Sequence, residues 1–204
     1  MSNEEYLEFS VNLFNSFDKI LDKDGVVLYN LSYSAGNPSL VWETVSAICR
    51  NTPFLTADCI VWLKPSALPQ NQNPNRLSRI CEFVFVFCRK TEALTFQCNK
   101  PKAGVVKATG QQRWSVIPNV VRAPNNDGAT SELNRATYST SLCSQLLRIY
   151  AKKGDLVYDP FMGTGTTAVA CKYLDLNCIG SELSPNQCKY AEERLSFKLS
   201  SRLF

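Results

Sequence analysis

The chain has 204 residues, 45% of them apolar and 20% charged, which suits one α/β domain carrying an insertion. A net charge of +4 and a pI near 8.5 are compatible with a nucleic-acid partner. Histidine is absent, which excludes histidine acid–base catalysis and histidine metal sites, and no apolar run approaches the ~18 residues of a membrane span.

Tyr6, Phe9, Leu13, Phe17, Ile20 and Leu21 recur at helical spacing, predicting an amphipathic helix over 4–21. Asp22-Lys23-Asp24-Gly25 ends it, and Val26 to Leu31 reads as a buried strand. Ser39 is placed as the cap of a second helix that runs to about Arg50. Cys59 to Leu63 reads as a strand. A loop rich in Pro, Asn and Gln over 65–78 reads as mobile. Cys81 to Cys88 is a long strand of continuous apolar character. The style changes over 91–135, where short β-like pieces alternate with glycines, prolines and scattered cations. Helical spacing returns from Leu142 to Tyr150, and Leu156-Val157-Tyr158 is a short strand. The alternation of strand and helix predicts a doubly wound, mostly parallel sheet interrupted by an insertion.

Nine cysteines stand at 49, 59, 81, 88, 98, 143, 171, 178 and 188, with no Cys-x-x-Cys pair. The odd count and the lack of a secretory leader predict free thiols in a reducing compartment, not a secreted protein. No metal site is expected.

The most informative run is Asp159-Pro160-Phe161-Met162-Gly163-Thr164-Gly165-Thr166-Thr167. It joins the 156–158 strand to an apolar-periodic helix over Ala168 to Leu174. Strand, glycine turn and helix N-terminus form a cradle for a nucleotide-like ligand, with free helical N–H groups facing it. No Gly-Lys-Ser/Thr follows, so it is not a P-loop, and the Gly-x-Gly-x-x-Gly dinucleotide pattern is incomplete. Asn177 to Glu182 reads as a second strand ending in a carboxylate. An acid about 20 residues beyond a glycine turn is the usual acceptor for ribose hydroxyls in doubly wound folds. Ser184-Pro185 then opens a last helix.

This string resembles the cofactor motif of the S-adenosylmethionine-dependent DNA amino-methyltransferases, which modify adenine N6 or cytosine N4. Trp62-Leu63-Lys64 followed by Glu82, the segment Arg113 to Pro118, and Ala136-Thr137-Tyr138-Ser139 are similar to that family's permuted class, in which the cofactor half comes last. The resemblance implies a methyltransferase-like sheet divided as 1–90, the catalytic half; 91–135, a target-recognition insertion; and 136–204, the cofactor half. It implies S-adenosylmethionine as donor, held by Tyr138, Asp159, Phe161, Gly163, Gly165, Thr166 and Glu182. It also implies double-stranded DNA as partner, with Lys100, Lys102, Lys107, Arg113 and Arg122 on phosphates. A cytoplasmic location, or wherever DNA is accessible, follows. Trp114 is read as core rather than as a base-stacking wedge.

The family's catalytic motif, Asp/Asn/Ser-Pro-Pro-aromatic, has no match, because no Pro-Pro pair occurs in the sequence. Asn30-Leu31-Ser32-Tyr33 supplies substitute catalytic candidates in Asn30 and Tyr33, although its context matches the next strand of the family's sheet. The catalytic strand is therefore expected to be missing. Losing a central strand exposes rows of backbone groups, each costing about 1–3 kcal/mol when buried unpaired. Three outcomes follow: the 156–158 strand pairs directly with 26–31, a second chain or a homodimer supplies the missing strand, or the chain is a degraded member that folds poorly. The alternative reading is a catalytically silent or truncated member serving as a DNA-binding or partner subunit. A methyltransferase for RNA or a small molecule is a third reading, disfavoured by the nine-residue motif.

Overall fold

The computed structural model describes residues 1–33, 36–65, 73–127 and 137–196. The chain divides into two compact units, Met1–Gln97 and Cys98–Phe204, so the segment expected as a separate insertion belongs largely to the second.

The first unit opens with α1 (Asn3–Asp18). Ser2 and Glu5 form a reciprocal capping box at its start. The helix stops earlier than its periodicity predicts, because Arg89 takes the carbonyls of Asp18, Leu21 and Asp22 at 2.9, 2.7 and 3.1 Å. Its Nε donates to the Asp18 carboxylate at 2.6 Å, and Asp24 turns the chain with a φ of 61°. Strand β1 (Val27–Leu31), helix α2 (Leu40–Asn51), strand β2 (Phe54–Leu63) and strand β3 (Cys81–Arg89) follow. Residues 66–72 of the expected 65–78 loop lie outside the described residues.

Strand β3 pairs antiparallel with β1 on one side and β2 on the other. Val84, Val86 and Cys88 on one face and Phe85 and Phe87 on the other are all buried, which explains the unbroken apolar run. The core gathers around Phe14 of α1. Its ring meets Phe17, Tyr29, Phe54 and Phe87 edge-on, with centroids 4.7–5.5 Å apart. Val41 and Ile48 bring α2 to the same core. Strand β2 begins at Phe54, five residues before its apolar stretch suggests. Phe54 is buried, and a bulge between Thr56 and Asp58 carries the ladder past Asp58.

The second unit holds an antiparallel ribbon, β4 (Lys102–Val105) and β5 (Gln112–Trp114), and a short strand β6 (Val120–Arg122). Helix α3 (Thr140–Tyr150) is capped by Ser139. Then come β7 (Leu156–Asp159), α4 (Thr166–Tyr173), β8 (Asn177–Gly180) and α5 (Pro185–Ser196). Strands β7 and β8 run parallel, as their α4 crossover requires. Cys143, Leu147, Ala170 and Cys171 form the core between α3 and α4, with Val157 and Cys178 against it.

The α/β class holds, but the mostly parallel sheet needs correction. Within the two units the β7–β8 ladder is parallel, while the β1–β3, β2–β3 and β4–β5 ladders are antiparallel. No described helix separates β2 from β3, and without a crossover the chain returns as a hairpin does. Within the first unit, β1 has β3 on one edge and no described strand on the other. Within the second, β7 has β8 on one edge and no described strand on the other.

Candidate functional site

The nine-residue turn after β7 is built by its own hydrogen bonds. The Asp159 carboxylate accepts the Phe161 N–H at 3.0 Å through Oδ1 and the Thr167 hydroxyl through Oδ2. The Tyr138 hydroxyl stands 3.2 Å from Oδ2 and 2.6 Å from Thr167 Oγ1. Asp159 thus ties the strand end, the turn and the first turn of α4 into one piece. Tyr138 serves that network through its side chain. Burial next to the Asp159 carboxylate raises its phenol well above the ordinary tyrosine range, so it is a neutral donor at pH 7.

Gly163 and Gly165 take positive φ, 54° and 81°, a region that L side chains rarely enter. Gly165 is also a close-approach position, since a Cβ there would lie 2.7 Å from the Ala191 Cβ of α5. Glu182 stands two residues past the end of β8 and turns back over the glycine turn. It accepts the Gly163 N–H at 2.9 Å on one oxygen and the Ser184 N–H at 2.9 Å on the other. Phe161 is exposed on the turn.

Thr137, Tyr138, Phe161, Met162, Gly163, Thr164 and Thr166 line a cavity of about 50 Å³. That volume holds a carboxylate or ammonium group but not a nucleoside. The hydroxyl of Thr164, itself 1% exposed, has no hydrogen-bond partner among the described residues. A buried hydroxyl without a partner is costly and rare, and this one sits in the cavity wall. One polar end group of the ligand's amino-acid part in the cavity, an apolar ring beside Phe161 and a diol at Glu182 match these features in chemistry. The residues fit an S-adenosylmethionine-type ligand.

Six of the residues expected around the donor, Asp159, Phe161, Gly163, Gly165, Thr166 and Glu182, lie on this one turn and its β8 neighbour, and Tyr138 adjoins them. Sequence reasoning missed four supports. Thr167 links Asp159 to Tyr138. Gly180 leaves room for Met162, whose side chain a Cβ would overlap. Arg194 donates to the Thr164 carbonyl at 2.8 Å and reaches Asp127 at 3.1 Å. Asp127 in turn accepts the Thr140 N–H at 2.8 Å, at the start of α3. Arg194 was visible only as part of the closing helix, and nothing near Asp127 marked it.

The substitute catalytic candidates belong to the first unit. Asn30 is exposed on β1 and donates its amide to Glu82 Oε2 at 2.8 Å. Lys64 pairs with the other oxygen of Glu82. The amide nitrogen is thereby occupied and the Asn30 carbonyl is the end left to accept a hydrogen bond. Tyr33 packs on the core instead. Its ring stacks on Phe83 at 6.5 Å, and the Arg79 guanidinium covers it at 5.1 Å. The five expected phosphate contacts, Lys100, Lys102, Lys107, Arg113 and Arg122, are all exposed. Trp114, expected in the core, is 51% exposed on β5, because no described layer packs over the ribbon there.

A parallel strand pair bridged by a helix, with a glycine turn before that helix and an acid beyond the second strand, places the second unit in the doubly wound class of nucleotide-binding α/β proteins. Solved structures carry the same fold. The M1.HpyAVI–SAM complex is 24% identical, with a TM-score of 0.72 over 96% of this chain and 84% of that one. The PvuII DNA methyltransferase (cytosine-N4-specific) is 20% identical, with a TM-score of 0.75 over 100% of this chain and 74% of that one. The DNA methylase family model matches residues 1–193, and the chain belongs to that family of DNA amino-methyltransferases, whose methyl donor is S-adenosylmethionine. Two type II methyltransferases show the sequence likeness. M.Cfr9I of Citrobacter freundii and M.SmaI of Serratia marcescens are each 25% identical, over 95% and 94% of this chain and 72% and 74% of their own lengths.

Proposed function

We propose that this chain methylates an exocyclic amino group, adenine N6 or cytosine N4, in double-stranded DNA, with the donor held on the turn from Asp159 to Glu182. One observation carries this reading. Glu182, Gly163, Phe161 and the Thr164 hydroxyl, which has no partner among the described residues, converge on a single concave turn of the β7–β8 unit.

S-adenosylmethionine, when bound, supplies an electrophilic methyl group on a sulfonium centre. The chain's own residues do the rest. Glu182 accepts from the ribose hydroxyls with the lone pairs that Gly163 and Ser184 leave. Phe161 shields one face of the ligand from water. Tyr138, Asp159, Gly165 and Thr166 keep the turn in shape. Lys100, Lys102, Lys107, Arg113 and Arg122 take phosphates, which sets register on the duplex. Such a transfer depends on positioning more than on a strong base.

The hydrogen-bond acceptor for the base amino group has two candidate sources. One is the Asn30 carbonyl, fixed by Glu82 and Lys64. The other is an Asp/Asn/Ser-Pro-Pro-aromatic segment on a second chain that pairs with the open edge of β1 or β7. The second reading rests on those two edges, because unpaired strand edges attract partners. Transfer of labelled methyl from S-adenosylmethionine to duplex DNA tests both. Activity of the isolated chain, lost in Asn30→Ala, supports the first source. Activity that appears only with a Pro-Pro-bearing partner chain supports the second. No transfer under either condition contradicts the proposed reaction.

A further inference from the structure

The β4–β5 ribbon stands out from the rest of the second unit. Every residue of β4 is exposed, and so are Arg113 and Trp114 of β5. The ladder is extended at its base by Ser115 N–H to the Pro101 carbonyl at 2.8 Å, and at its tip by Val106 N–H to the Gln111 carbonyl at 2.9 Å. The tip is a tight loop. The Thr109 and Gly110 N–H groups both reach the Val106 carbonyl, at 3.3 and 2.9 Å, and Gly110 takes a φ of 69°. Lys107 therefore sits on the tip, and Lys102 lies directly opposite Trp114 in the register, on one face of the ribbon.

A two-stranded hairpin exposed on both faces is marginal by itself, so the exposed apolar side chains of Trp114 and Val105 have no stabilising role that the described residues reveal. The charge is one-sided. Between Glu92 and Asp127 the chain carries five cations, Lys100, Lys102, Lys107, Arg113 and Arg122, and no acidic residue. None of the ion pairs among the described residues uses any of them.

We propose that the β4–β5 ribbon is the element that enters a groove of double-stranded DNA, with Lys102, Lys107 and Arg113 on phosphates and Trp114 as an apolar side chain against the bases. The proposal deepens the DNA reading above and rests on it. The charge complementarity fixes the occupant as a polyanion. The major groove, about 12 Å wide, admits a two-stranded ribbon. An amino group can be methylated only after its base leaves the stack, and a flat apolar ring at the ribbon's base suits the opened step.

Duplex binding measured against salt concentration tests the ribbon. The proteins compared are the wild type, Trp114→Ala, the triple variant Lys102→Gln/Lys107→Gln/Arg113→Gln, and Lys23→Gln as an exposed control on the first unit. Unfolding midpoints check that each variant is folded. Each phosphate contact contributes about 0.9 to the slope of log K against log salt, so the triple variant should lose about 2.7. Trp114→Ala should bind about 5- to 100-fold more weakly at every salt concentration with its slope unchanged, the size expected for one aromatic–base contact. An unchanged slope in the triple variant, or wild-type affinity in Trp114→Ala, overturns the ribbon proposal while wild-type binding keeps the DNA reading intact. A folded wild type that binds no duplex at about 50 mM salt overturns both.

Discussion

Gly165 and Thr167 have distinct tasks in the turn after β7. At Gly165 a φ of 81° and the nearby Ala191 of α5 leave no place for a side chain. Gly165→Ala should cost at least about 2 kcal/mol, from left-handed strain and overlap together, measured as a lower denaturation midpoint. Thr167→Val removes the donor that Asp159 shares with Tyr138 and leaves a half-buried carboxylate short of one hydrogen bond. The loss should be about 1–3 kcal/mol, with α4 packing otherwise retained. Cys143 gives a pH signature. Burial pushes its thiol up to about 12, against about 8.5 in an unfolded chain. Between those values the unfolded state binds fewer protons, so stability is full below about pH 8.5 and falls as pH rises. Denaturant unfolding at pH 8 and pH 10 should show a loss of about 2 kcal/mol that Cys143→Ala reduces. At this scale the sequence exposed the residues with a fixed spelling, from Asp159 to Thr167, and Glu182 at its spacing. It gave Thr167 a place in that string but not its link to Tyr138, and it did not expose Gly180, Asp127 or Arg194, because these tasks depend on which elements meet.

At the scale of elements, periodicity located most helices and strands, and tertiary contacts set their ends. The periodicity of α1 continues past Asp18, yet the helix stops where Arg89 arrives from β3. Arg89→Ala leaves three carbonyls and the Asp18 carboxylate without their donor. It should lower stability by about 2 kcal/mol, while Arg89→Lys recovers only part, since an ammonium cannot reach all three carbonyls at once. The continuous apolar run at 81–88 marked β3 as a long strand but not as antiparallel, because direction depends on the connection and not on the strand. The ribbon was hardest to read. Its residues alternate weakly, and the exposure of Trp114 follows from the absence of a described layer over it, which no local pattern encodes.

At the level of the whole chain, family membership supports methyl transfer, and the proposed acceptor comes either from Asn30 or from a second chain at the edge of β1 or β7 that no described strand covers within its unit. On the proposed reading, the turn from Asp159 to Glu182 holds S-adenosylmethionine by itself. Titration calorimetry of the purified chain with S-adenosylmethionine tests it without any need for activity. Saturable one-to-one binding is expected, weakened about 10- to 100-fold in Glu182→Ala and unchanged in Trp114→Ala. Absence of binding by the folded wild type, or binding that Glu182→Ala leaves untouched, would contradict it.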